Sequence, residues 1–123
     1  MLMKTGVVIL GHGSKAEESN QAFLEFCDLT AKNLDYDFVG GGFLQFADPR
    51  LDDVIAEAVN DGVEKIAIMP LFLFPGNHVQ KDIPRVLGRL KEEHPDVEFA
   101  YADHVGIDER LTEIVADRVK EVI

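Results

Sequence analysis

Residues 66–84 read IAIMPLFLFPGNHVQKDIP. A nearly unbroken apolar run over 66–75 ends in Pro-Gly-Asn and then delivers His78. Short apolar runs bounded by turn residues read as strands buried on both faces, the kind that parallel sheets use. A histidine just beyond such a run is a titratable, metal-seeking group at a strand tip. The same arrangement occurs near the start, where TGVVIL (5–10) runs into GHGSK (11–15) and delivers His12.

Working outward from these two stretches, short apolar runs alternate with longer segments of helical periodicity. Strands are expected over 5–10, 38–43, 65–72 and 98–102. The first helix is expected from about residue 17 to 34, burying Phe23, Leu24, Cys27 and Ala31. In DPRLDDVIAEAVNDG, Leu51, Val54, Ile55, Ala58 and Val59 share one face. Asp48 suits an N-cap there, Pro49 the first helical position and Gly62 the stop. The segment around Pro84 sets Ile83, Val86, Leu87 and Leu90 on one stripe, with Pro95 beyond its end. The closing helix does the same with Leu111, Ile114, Val115 and Val119.

The order βαβαβαβα predicts an α/β fold, a single four-stranded parallel sheet with helices on both faces, in one domain over 1–123. Right-handed crossovers leave few topologies, and 2-1-3-4 is the expected strand order. Ligands of open sheets sit at the carboxyl ends of the strands, where the winding direction reverses. His12 follows the first strand and His78 the third, so both would flank that crevice.

The bulk properties narrow the classes. A chain of 123 residues suits one core. Asp and Glu number 23 against 12 Lys and Arg, a net charge of −11. That sign repels nucleic acid and anionic membrane and attracts divalent cations. The longest apolar run is far short of the roughly 20 residues of a membrane-spanning helix. The beginning, MLMKTGVVILGHG, lacks the features of a signal peptide. The single cysteine, Cys27, has no internal disulfide partner. These features set the expectation of a cytoplasmic protein.

Several residues near the strand ends can carry chemistry. Gly11 and Gly13 permit a sharp turn that exposes His12, and Ser14 can cap the next helix or bind an anion with its amides. In PGNHVQKDIP, Gly76 suits a turn, Asn77 can donate or accept, and Asp82 with Pro84 reads as the start of a helix. Lys15, Arg50, Lys81 and Arg85 flank the same ends and would form a cationic rim. His104 follows the fourth strand, as a third ligand or a solvated turn residue; His94 falls at a helix end on the surface. Neither a G-x-S-x-G elbow nor a Walker-type phosphate loop is present, and no CxxC pair or H-E-x-x-H helix suggests structural zinc. Two imidazoles make an open coordination set, suited to a metal that passes through. A metal or tetrapyrrole carrier and a flavodoxin-like anion- or nucleotide-binding module remain alternatives on these grounds.

GVVILGHGSK, GGFLQFADPRLDDVIAEAVNDGV, IAIMPLFLFPGNHVQKDIP and the closing helix together resemble the small CbiX-type sirohydrochlorin chelatases. The resemblance runs nearly the whole chain in order and implies half of a ferrochelatase-like fold, paired as a homodimer around a shared cleft. It implies ATP-independent insertion of a divalent metal, Co²⁺ or Ni²⁺, into sirohydrochlorin, on the way to cobalamin or the nickel cofactor F430, with no tightly bound cofactor. His12 and His78 fall on the family's two functional histidines. Substrate contacts are expected at Gly11, Gly13, Ser14, Leu73, Phe74, Gly76, Asn77 and Val79, with the apolar Leu73 and Phe74 against the macrocycle face. Relatives commonly read Pro-Leu-Gly or Pro-Ile-Gly where this chain has DHVGID, so no family role carries over to His104.

Overall fold

A computed structural model describes residues 3–123, the side chain of His78 excepted. The elements run β1 (Thr5–Gly11), α1 (Glu17–Ala31), β2 (Phe38–Phe43), α2 (Leu51–Asn60), β3 (Lys65–Pro70), α3 (Asn77–Glu93), β4 (Glu98–Tyr101) and α4 (Glu109–Lys120). All strand pairs are parallel and the sheet order is β2-β1-β3-β4, as the alternation predicts. The winding therefore reverses between β1 and β3, and both of those strands are central.

β1 is buried on both sides, so its alternate residues define two cores. Val8 and Leu10 join Leu51, Val54, Ile55 and Ala58 of α2 and Ile83 and Leu90 of α3. Val7 and Ile9 meet Cys27 of α1 on the opposite face. The three glycines of β2 draw helices close from both sides. A Cβ on Gly41 would come within 2.6 Å of Cys27 Sγ, and one on Gly42 within 3.0 Å of Leu51 Cα. In α1, Cys27 and Asn20 are buried, whereas Phe23, Leu24 and Ala31 are only half-buried.

Burial pushes the Cys27 thiol up to about 11, with the neighbouring Asp28 charge adding to the effect. The folded state thus holds this proton more tightly than the unfolded chain does. The corresponding stability is present below about pH 9 and lost as pH rises toward 11. The thiol is expected to resist a disulfide reagent at pH 8 in the native protein and to react at once in denaturant. Rapid native labelling, followed by absorbance, would contradict this burial.

The element boundaries depart from the sequence reading in instructive ways. α1 stops at Ala31 rather than Leu34, where turn bonds from Asn33 N–H to Thr30 O (2.9 Å) and Leu34 N–H to Ala31 O take over. α2 begins at Leu51, so neither Asp48 nor Pro49 starts it. The end of β2 holds that segment extended: Phe43 N–H donates to Pro49 O at 2.9 Å, and Phe43 bridges Arg50, the N-cap. Gly62, at φ +91° just past the C-cap, is the stop that was expected.

β3 ends at Pro70, two residues early. Leu71 N–H still donates to Leu10 O at 2.8 Å, after which the chain leaves the sheet. α3 begins at Asn77, so Pro84 lies inside it and Asp82 is an exposed mid-helix residue rather than a helix start. Its first turn closes earlier, with Gln80 N–H donating to Gly76 O at 3.1 Å and the Gln80 amide to Pro75 O at 3.2 Å. Pro84 lacks an N–H and so removes one helix bond further along.

α4 buries none of its residues. Its N-cap is Asp108, whose carboxylate accepts from Arg110 N–H at 2.9 Å and from the Arg110 guanidinium at 2.8 Å. That guanidinium holds the Asp108 carboxyl well below the usual carboxylate range. The apolar stripe read from the sequence is real but uncovered: Ile114, Val115 and Val119 are 49%, 61% and 46% exposed.

Candidate active site

His12 is the first residue after β1, at the carboxyl edge of the sheet beside the reversal point. The turn that presents it depends on Gly13, which sits at φ +93° and where a Cβ would overlap the carbonyl oxygen of Gln45. The turn is stitched to the chain leaving β2. Leu44 N–H donates to Gly11 O at 2.9 Å, and Gln45 N–H to His12 O at 3.2 Å. The His12 ring is exposed, with Nδ1 3.2 Å from Gly13 O and Nε2 3.2 Å from the side-chain nitrogen of Gln45.

A second anchor comes from α1. Buried Asn20 accepts from Ser14 N–H at 3.0 Å and donates to Ser14 O at 2.7 Å. The Ser14 hydroxyl accepts from Ala16 N–H at 3.0 Å, the amide of the N-cap residue itself, so it braces the turn before the helix rather than capping its first turn. These bonds fix the backbone around His12 without using its imidazole.

Two cavities meet at His12. One, of about 200 Å³, is lined by Gly11, His12, Gly13 and Ser14 together with Phe23, Phe43, Leu71 and Phe72. The other, of about 260 Å³, is lined by His12, Leu44, Gln45, Asp82, Arg85 and Val86. The first offers apolar walls and backbone amides. The second adds a carboxylate and a guanidinium, 4.0 Å apart, to the walls it shares with His12. Arg85 is thus the member of the expected cationic rim that shares a cavity with His12. Lys15 lies 5.5 Å over the Phe46 ring, Arg50 borders a separate groove between α2 and α3, and Lys81 is exposed.

The remaining candidates lie elsewhere along the same edge, except His94, which sits at the opposite edge between α3 and β4. His78 is the second residue of α3, and its side chain lies outside the described part of the structure. Gly76 and Asn77 are exposed at the start of that helix; Gly76 has φ −75° and ψ 177°, a conformation open to any residue. Val79 packs against the α2/α3 core. Leu73 and Phe74 are exposed, and Phe74 borders an apolar groove of about 270 Å³ with Ile107, Leu111 and Val115. Gly106 N–H donates to Leu73 O at 3.1 Å, which ties that loop to the one preceding α4. His104 is half-buried beside Gly106, and His94 is a half-buried C-cap whose ring centre is 6.5 Å from that of Phe99. Among the described residues, no three His, Cys, Asp or Glu side chains converge as a metal site.

Sequence reasoning missed Asn20 and Gln45. Asn20 looked like an ordinary polar residue in the first helical turn. Gln45 had a usable signal: with β2 next to β1, the residues just past β2 must lie beside His12.

The family model described as CbiX matches residues 6–122. A sirohydrochlorin cobaltochelatase of Methanosarcina acetivorans is 35% identical over 130 aligned residues, covering 100% of both chains. The crystal structure of a CbiX protein of Marinobacter aquaeolei, ascribed to cobalamin biosynthesis, superposes with a TM-score of 0.82 at 31% identity, over 95% of each chain. The sirohydrochlorin chelatase SirB of Bacillus subtilis subspecies spizizenii, in complex with cobalt, gives a TM-score of 0.92 at 27% identity, over 98% of this chain and 51% of SirB. A profile match and a full-length relative both extend over the elements that build the His12 turn, and the chain belongs to the CbiX family.

Proposed function

We propose that this chain inserts a divalent metal, Co²⁺ or Ni²⁺, into sirohydrochlorin without ATP, as one domain spanning 1–123. The observation that carries the reading is the exposed imidazole of His12, anchored through its backbone at the switch point of a CbiX sheet and bordered by two cavities. Cobalt is favoured by the names of the relatives, and SirB has been crystallised with it. Nickel rests on the affinity of imidazole for both metals. The product would serve cobalamin or F430 synthesis in the cytoplasm.

The reaction exchanges M²⁺ for two pyrrole N–H protons. Neutral imidazoles of His12 and His78 would strip water from the cation and hold it over the ring. As the ring nitrogens displace the imidazoles from the metal one after another, each freed imidazole can accept one of the two departing pyrrole protons and release it to solvent. Gly11, Gly13 and Ser14 would line the cleft, with Gly76, Asn77 and Val79 framing His78. Leu73 and Phe74 would cover the macrocycle face, and Arg85 would meet a peripheral carboxylate.

A homodimer completes the proposal. Two observations support it: the uncovered apolar stripe of α4 beside Phe74, and the twofold length of SirB relative to this chain. Val115→Glu is expected to convert dimer to monomer in sedimentation equilibrium, because a carboxylate would then be buried at the centre of the contact. A monomeric wild-type protein, or a dimer indifferent to this substitution, would remove α4 from the interface.

The deciding experiment mixes protein, sirohydrochlorin and Co²⁺ or Ni²⁺ anaerobically and follows the visible spectrum against a protein-free control. Catalytic turnover supports the chelatase. A stoichiometric shift that then stops indicates a carrier.

A further inference from the structure

We infer that Gln45 is a positioning residue that fixes the tautomer of His12, keeping the hydrogen on Nδ1 and the lone pair on Nε2. The functional consequence rests on the reading of His12 given above; the tautomer itself does not.

A neutral imidazole has one N–H and one lone pair, and only the nitrogen with the lone pair can take a metal or a proton. Nδ1 lies 3.2 Å from Gly13 O, which can only accept, so a hydrogen bond there needs hydrogen on Nδ1. Nε2 lies 3.2 Å from the side-chain nitrogen of Gln45, which can only donate, so a bond there needs the lone pair on Nε2. Both contacts agree on one tautomer. The opposite one would set N–H against N–H and lone pair against lone pair.

The geometry is held by backbone as well. Gln45 N–H donates to His12 O, and the missing side chain of Gly13 gives room to the Gln45 carbonyl. Amide and imidazole therefore project from two adjoining, tied segments. Both line the cavity that also contains Asp82 and Arg85. In the resting protein the amide occupies the Nε2 lone pair and must swing aside when a cation takes that nitrogen. Metal-binding histidines are commonly oriented by a hydrogen bond at the ring nitrogen that does not bind the metal, the place Gly13 O holds here, and Gln45 backs the same tautomer from the metal-binding side.

The test is long-range ¹H–¹⁵N NMR on protein labelled at histidine, at a pH where imidazoles are neutral, with His12→Ala to assign the signal. The wild type is expected to show the Nδ1–H form at His12. Gln45→Leu should weaken that preference, leaving only the Gly13 O contact to hold it. Gln45→Glu, nearly isosteric and acceptor-only when ionised, should move the hydrogen to Nε2 and so keeps the test open if the leucine variant misfolds. An Nε2–H signal in the wild type, or one tautomer in all the proteins, would overturn the inference. This readout needs neither metal nor tetrapyrrole, so its failure is distinct from failure of the chelatase reading. Turnover of Gln45→Leu should fall in step with the fraction of His12 that carries its hydrogen on Nε2. Unchanged turnover with an altered tautomer would show that Gln45 does not position the working nitrogen.

Discussion

His12→Ala is expected to reduce metal insertion by about 10²–10⁴-fold, the range associated with losing a positioned proton acceptor, with loss of a metal contact added to it. The fold should barely notice. The imidazole is exposed, and its contacts are two hydrogen bonds at the surface, while the turn is held by main-chain bonds and by Asn20. Exposed substitutions of this kind usually change stability by no more than about 0.5 kcal/mol. Anaerobic initial rates with sirohydrochlorin and Co²⁺, alongside a thermal unfolding curve, separate the two quantities. His78→Ala should match His12→Ala in rate if the pair acts on one cation. Full activity in His12→Ala would move the chemistry away from the switch point altogether.

Gly13→Ala should have the largest effect on stability. At φ +93° any side chain is strained, at a cost of about 1–3 kcal/mol. The new Cβ would also overlap the Gln45 carbonyl, which is backbone and cannot rotate away, adding a further cost of about 1–3 kcal/mol for overpacking. To relieve the clash, the 44–45 segment must separate from the His12 turn, so turnover should fall with stability. Urea unfolding measures the first effect and the chelatase assay the second. Gly76→Ala is the useful contrast. Its backbone is ordinary extended chain and a Cβ there meets nothing within 4 Å, so stability should stay within about 1 kcal/mol of wild type. Equal losses in the two variants would mean that the two glycines play the same part, against the observed dihedrals.

That contrast shows how far residue patterns reach. Gly11-His12-Gly13 and Gly76-Asn77-His78 look alike as text, each a glycine near a histidine after an apolar run. Only the first is a turn that requires glycine. The second opens a helix, because the chain beyond Pro70 leaves the sheet early and closes its first helical turn at Gly76. Pro84 and Asp82 gave a start signal that the structure does not use. The first-turn bonds of Gln80 come before that signal, and packing of Ile83 and Leu90 into the core carries the helix through Pro84.

The alternation of apolar runs with helical stripes determined the element order, and the handedness of crossovers narrowed the strand orders to a few that include the one observed. Both are local properties summed along the chain, which is why they were legible. The placement of His12 at the sheet edge followed from them, as did the burial of Cys27. What covers each stripe is a non-local matter. Periodicity marked the apolar face of α4 as clearly as that of α2, yet α2 packs on the sheet and α4 leaves its face open. Likewise, nothing within residues 38–46 announced that three glycines would admit helices from both sides, or that Gln45 would bond to His12. Those outcomes belong to the tertiary structure. They depend on segments 30 or more residues apart arriving within a few ångströms of each other, and that distance is set by the packing of the whole sheet.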